Sequence, residues 1–136
     1  MVENVSPRQV WEALRDDPAA VLVDCRTEAE WNFVGVPDLT GIGKQTVLVE
    51  WQAYPSMAVN PAFVEALRAA GLGPEHRVYF ICRSGQRSLH AARAAQAAGF
   101  AASYNVAEGF EGPMDAAGRR GTLAGWKVAG LPWRQG

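Results

Sequence analysis

Four short runs rich in β-branched and aromatic residues are separated by stretches that carry helical signals. The runs are AVLVDCR (residues 20–26), TVLVEW (46–51), RVYFIC (77–82) and ASYNV (102–106). That alternation constrains the fold more than any other feature of the chain. Runs apolar at nearly every position need cover on both faces, and intervening helices supply the crossovers that parallel strands require. The expected architecture is α/β: a mainly parallel sheet flanked by helices on both faces. At 136 residues the chain can bury one substantial core but not two, so a single domain over residues 1–136 is expected.

The helical stretches have recognisable starts and stops. Ser6 and Pro7 open RQVWEALRDDP with a capping residue and a proline at the first helical position, and Val10, Trp11 and Leu14 recur at helical spacing. Thr27 and Glu30 form a capping-box pair at the head of TEAEW. Asn60 and Pro61 open AFVEALRAAGLGP, which Gly71 and the Gly73–Pro74 pair end. A further helix is expected from about Arg87 to Ala98, with Gly99 as its stop. The tail GFEGPMDAAGRRGTLAGWKVAGLPW is glycine-rich and leaves room for a short helix at most. Residues 32–61 are the least regular part and are expected to wrap over one edge of the sheet.

Composition removes several function classes. A net charge of −1 provides no global field to draw nucleic acid or anionic membrane, so any anion site must be local. The longest apolar runs fall far short of the roughly 20 residues a membrane helix needs. The start, MVENVSPRQVWEAL, has an early acid and no apolar core, unlike a secretory signal. Cys25 and Cys82 have no metal-ligand spacing, and His76 and His90 stand alone, so no metal is expected. A cytoplasmic domain with free thiols follows as the expectation.

Chemistry concentrates at one turn. In open parallel sheets ligands bind beyond the carboxyl ends of the strands, and RVYFIC ends on Cys82. The connection to the next helix reads Arg83, Ser84, Gly85, Gln86, Arg87, Ser88. Such a loop turns backbone N–H groups inward, and the helix start adds unpaired donors and the positive end of its dipole. Gly85 permits the backbone conformations that close the ring. Donors of this kind stabilise a thiolate at its centre, while Arg83 and Arg87 are fixed positive charges suited to an anion. The loop is a cradle for an anion with a nucleophile inside it.

Two chemistries use that device, one through a phosphocysteine and one through a persulfide. The spacing here is C-x4-R, one residue shorter than the C-x5-R of cysteine phosphatases, and Ile81 replaces the histidine that usually precedes their cysteine. A smaller ring suits a single sulfur atom better than a tetrahedral phosphoryl group.

CRSGQRS resembles the active-site loop of the single-domain rhodanese sulfurtransferases. VLVDCRTEAEW is similar to that family's early strand, its Asp-x-Arg and its acidic turn, which places Asp24 and Arg26. YNVAEGFEG and GWKVAGLPW resemble its later segments, so the likeness runs from about Val5 to Trp133. The resemblance implies a five-stranded sheet with the cysteine on the central strand. It also implies transfer of a sulfane sulfur through a Cys82 persulfide. The donor would be thiosulfate or a protein or small-molecule persulfide, and the acceptor a thiol or cyanide, without a cofactor. A protein partner carrying a persulfide belongs to that expectation; nucleic acid and membrane do not. The family's usual Gly-His-Ile-Pro-Gly-Ala segment is absent, and NFVGVPDLTGIGKQTVLVEW stands in its place.

Cys82 is therefore the expected nucleophile, with Arg83, Ser84, Gly85, Gln86, Arg87 and Ser88 around the substrate. Arg87 is expected chiefly to brace the loop, and Ser84 and Ser88 either cap the helix or donate to the anion. Asp24 and Arg26 are expected to be structural near the site. Cys25 alternates with Val21 and Val23 and so should face the core. Glu50 and Trp51 are expected at an ordinary edge position, and Trp126 and Trp133 should pack the tail onto the body. The alternatives are a phosphatase or arsenate reductase on the same fold, and a non-catalytic binding module that retains the cradle.

Overall fold

Capping boxes set the starts of the first two helices in the computed structural model, which describes residues 2–135. After strand β1 (Glu3–Val5), Ser6 and Gln9 form a reciprocal capping box at the head of helix α1 (Pro7–Asp16). Strand β2 (Ala20–Asp24) leads to α2 (Glu28–Phe33), whose own box joins Thr27 and Glu30. Residues beyond it form β3 (Val36–Pro37), a 3₁₀ turn at Thr40–Ile42, β4 (Val47–Leu48), and the hairpin of β5 (Gln52–Ala53) with β6 (Ala58–Val59). Helix α3 (Phe63–Ala69), β7 (Arg77–Ile81), α4 (Gln86–Ala97), β8 (Ser103–Val106) and β9 (Trp133–Arg134) complete the chain. Among the described residues, no helix is long and apolar enough to cross a membrane.

The main sheet has five strands in the order β1-β8-β7-β2-β4, and every pairing in it is parallel. β7 is thus central, and the chain leaves its carboxyl end at Cys82. β1 is an addition to the four runs read from the sequence. Its three residues lie ahead of α1 and pair with β8, Asn4 opposite Asn105. β4 is shorter than TVLVEW suggested, because only Val47 and Leu48 keep ladder register with β2. Beyond them, single bonds from Val49 N–H to Asp24 O and from Trp51 N–H to Cys25 O follow the edge irregularly.

Alternation along the central strands divides the core in two. Val78, Phe80 and Cys82 join Val23, Cys25, Phe63, Leu67, Ala91 and Ala95 on the face covered by α3 and α4. Tyr79 and Ile81 join Leu22, Val10, Leu14, Phe110 and Trp126 on the face covered by α1 and the tail. Among the described residues the tail has no helix of its own. Trp126 is fully buried and donates from Nε1 to Pro132 O at 2.7 Å, and β9 pairs antiparallel with β3. Trp133 is half-exposed, meeting Phe110 edge to face and the Lys127 ammonium over its ring.

Arg26 is a fully buried guanidinium, as buried as its partner Asp24. Its Nη2 donates to Asp24 Oδ2 at 2.6 Å and to Gly35 O at 2.6 Å, and its guanidinium lies 4.3 Å from the Phe110 ring centroid. The pair thus ties the end of β2 to the turn after α2 and to the tail. Arg26→Leu should lower unfolding stability by about 3–5 kcal/mol, because it strands a buried carboxylate. The urea midpoint measures this, and adding Asp24→Leu should restore much of the loss; full stability in the single variant would contradict this account of the pair.

Candidate active site

The turn after β7 folds back on its own sulfur. Cys82 is 1% exposed, and its Sγ accepts from the backbone N–H of Gly85 at 3.2 Å and of Ser88 at 3.3 Å. The first-turn N–H groups of a helix have no intrahelical carbonyl to meet, and α4 begins at Gln86, so Ser88 N–H is free to reach the sulfur. Gly85 caps that helix with φ +100°, a left-handed conformation that side chains rarely adopt. A Cβ there would lie 2.0 Å from the carbonyl oxygen of Ala107.

Behind the sulfur is a buried polar chain. Ser88 Oγ lies 3.2 Å from Cys82 Sγ and donates to Asn105 Oδ1 at 2.5 Å. Asn105 Nδ2 in turn donates to Gly85 O at 3.1 Å and to Asn4 Oδ1 at 2.9 Å. The amide therefore fixes both the hydroxyl beside Cys82 and the carbonyl of the capping glycine. From outside, the tail holds the loop: Phe110 N–H donates to Cys82 O at 2.8 Å, and Glu111 and Gly112 N–H donate to Arg83 O at 3.0 and 3.1 Å. Gly109 permits this approach, since a Cβ there would sit 2.5 Å from Arg83 O.

The two loop arginines are placed differently. Arg87 forms a two-point pair with Glu30, Nη1 to Oε1 at 2.6 Å and Nη2 to Oε2 at 2.9 Å. Burial pushes the Glu30 carboxyl up, but hydrogen bonding to Arg87 and its charge outweigh this and hold it below the usual range. Arg87 is thereby raised despite the opposing effect of burial. The same Glu30 carboxylate closes the capping box with Thr27, so α2 and the loop share one brace. Arg83 is exposed and makes no ion pair among the described residues.

Cys82 opens onto a cleft of about 940 Å³, lined also by Arg83, Ser84, Gln86 and Arg87. Gly85 and Ser88 sit on the buried side of the sulfur instead, where they hold it. Cys25 is fully buried on the same face as Val23, as its alternation predicts. Burial pushes its thiol well up, and the neighbouring Cys82 and Asp24 charges add to the effect. Glu50 accepts from Glu28 N–H at 2.9 Å and Trp51 packs on Phe63, so both serve the edge. His76 accepts from Gly73 N–H at 2.9 Å, a turn contact.

Two contributors were not assigned to the site from sequence. The sequence marks Glu30 only as a helix cap, although a carboxylate has lone pairs to spare for a second partner. Asn105 carried one signal, an amide inside an otherwise apolar strand, and a buried amide must find partners.

A family model described as the STR4 middle domain matches residues 2–136. An uncharacterized protein of Rickettsia rickettsii is 33% identical over 134 residues, which cover 98% of each chain. Rhodanese-like domain-containing protein 4, chloroplastic, of Arabidopsis thaliana is 27% identical over 129 residues, 94% of this chain and 25% of that protein. The crystal structure of Rv0390 from M. tuberculosis superposes with a TM-score of 0.90 at 50% identity, covering 99% of this chain and 98% of that one. The polysulfide-sulfur transferase homodimer of Wolinella succinogenes matches with a TM-score of 0.64 at 21% identity, over 99% of this chain and 80% of that one, a likeness of fold.

Proposed function

We propose that this chain, which belongs to the STR4 middle-domain family, is a rhodanese-type sulfurtransferase working through a persulfide on Cys82. The observation that carries the reading is the sulfur of Cys82 at the floor of an open cleft, held by the N–H groups of Gly85 and Ser88. In the first half-reaction the Cys82 thiolate attacks the outer sulfur of thiosulfate. The S–S bond of the donor breaks, sulfite leaves with the electron pair, and Cys82 keeps one added sulfur as a persulfide anion. In the second, cyanide or a thiolate attacks that terminal sulfur and departs as thiocyanate or a new persulfide, returning the Cys82 thiolate. A persulfide donor enters by the same displacement with a thiolate as the leaving group.

Charge placement supports this assignment of roles. Arg83 on the cleft wall has no ion pair among the described residues and meets the incoming anion, while Arg87 spends its fork on Glu30 and keeps the loop in shape. The N–H groups of the first turn of α4 receive the added sulfur. Two free thiols suit a reducing compartment such as the cytoplasm.

The test is the intact mass of the protein after thiosulfate treatment, with and without a reducing thiol. The expected result is a gain of one sulfur that the thiol removes. No gain would reject the mechanism, and Cys82-dependent turnover of a small aryl phosphate would favour the phosphatase reading instead. Arg83→Ala should raise the Michaelis constant for thiosulfate by roughly ten- to a hundredfold, the value of one charge-assisted contact. An unchanged constant would place that side chain away from the donor.

A further inference from the structure

The least regular stretch, residues 32–61, contributes side chains that the core does not use. Phe33 is 78% exposed, Tyr54 67% and Met57 36%, and all three line the cleft above Cys82. Met114, 58% exposed, joins them from the tail. None belongs to either buried cluster. Single exposed apolar residues are ordinary. Here residues from three separate segments, the end of α2, the turn of the β5–β6 hairpin and the tail, converge around one buried nucleophile.

We propose that this rim docks a segment of a partner protein: an extended stretch carrying the transferred sulfur on a cysteine, with large apolar neighbours and a nearby carboxylate. The proposal rests on the sulfurtransferase reading of Cys82. Size is the first argument. A cleft of about 940 Å³ is at the upper end of the roughly 300–1,000 Å³ range of small-molecule pockets. Thiosulfate or cyanide would touch only its floor. Depth is the second, because a nucleophile 1% exposed is reached by a side chain projecting from an extended segment, not by a flat protein surface. Charge is the third. With Glu30 tied to Arg87, the cleft wall carries Arg83 and Arg120 against Glu111. Arg120 Nη1 donates to Gly112 O at 2.9 Å, which holds its guanidinium at the rim. That small local excess suits one carboxylate and is far too weak for a polyanion. The transfer remains the balanced displacement already written, the partner's thiolate taking the terminal sulfur of Cys82 or giving one up.

Two synthetic acceptors test it: acetyl-Glu-Leu-Cys-Phe-amide and acetyl-Gly-Gly-Cys-Gly-amide, each mixed with thiosulfate-loaded protein in single-turnover experiments. The apolar acidic peptide should react at least about tenfold faster per unit concentration, the effect of burying one apolar side chain. Phe33→Ser/Tyr54→Ser/Met114→Ser should bring the ratio close to one, and Phe33→Ser alone should lower it part of the way. Equal rates for the two peptides with the wild-type protein overturn the docking surface while leaving the sulfurtransferase reading intact. A serine-for-cysteine version of the apolar peptide separates the two claims by calorimetry. Its binding without any sulfur transfer would keep the docking site and reject the enzyme, and failure to bind overturns the site. Self-association that blocks this peptide would also overturn the proposal, in favour of a second copy of the chain.

Discussion

Cys82→Ser should abolish sulfur transfer from thiosulfate to cyanide, leaving background only, a loss of at least about a thousandfold as for removal of other covalent nucleophiles. The hydroxyl that replaces the thiol cannot hold a sulfane sulfur at neutral pH. The loop around it should survive, because the N–H groups of Gly85 and Ser88 can donate to an oxygen as they do to Sγ. Cys25→Ala is the informative companion. Its thiol is shut in the core and pushed up by burial, so it is a poor attacking group, and the variant should still turn over without an added thiol beyond the acceptor. Steady-state thiocyanate production under corrected background decides both. Activity remaining in Cys82→Ser would remove the proposed nucleophile, and a Cys25→Ala enzyme that stalls after one turnover would make Cys25 a resolving thiol.

Gly85→Ala should be nearly as damaging although it leaves every reactive group in place. The added Cβ would meet Ala107 O at 2.0 Å and Ala107 C at 2.8 Å, both backbone atoms, and the φ of +100° is itself unfavourable for alanine. The loop must move off the β8 connection, taking the Gly85 N–H away from Cys82 Sγ and the Gly85 carbonyl away from Asn105. Losing one preorganised donor of this kind costs about a hundred- to a thousandfold in rate. Gly41→Ala supplies the control, since nothing lies within 4 Å of its would-be Cβ. The rate of persulfide formation, followed by mass, is the measurement. Near-normal loading in Gly85→Ala would show that the ring geometry does not control reactivity.

Much of the fold was legible because its signals are local. Ser6 with Pro7, Thr27 with Glu30, and the glycines after α3 and α4 each act within one turn of helix, and each helix begins or ends close to where those residues place it. The central strands were equally plain, since burial on both faces leaves β2 and β7 apolar at almost every position. The edges were not. β1 has three residues and β4 two, too short for any period to declare itself, and both owe their form to the strand beside them.

At the site the division follows the same physics. The run from Cys82 to Ser88 by itself determined a thiol, a flexible glycine and two guanidinium groups at the head of a helix, because all of them are consecutive along the chain. Only the tertiary structure decided how they are used. The pairing of Arg87 with Glu30 joins residues 57 positions apart. Asn105 reaches Asn4 across a separation of 101 positions, and the N–H groups of Phe110 and Glu111 come to the loop from the far side of β8. Such contacts depend on strand order and on which face each side chain takes, quantities that no local pattern encodes. They turn two similar arginines into one brace on Glu30 and one charge without an ion pair among the described residues.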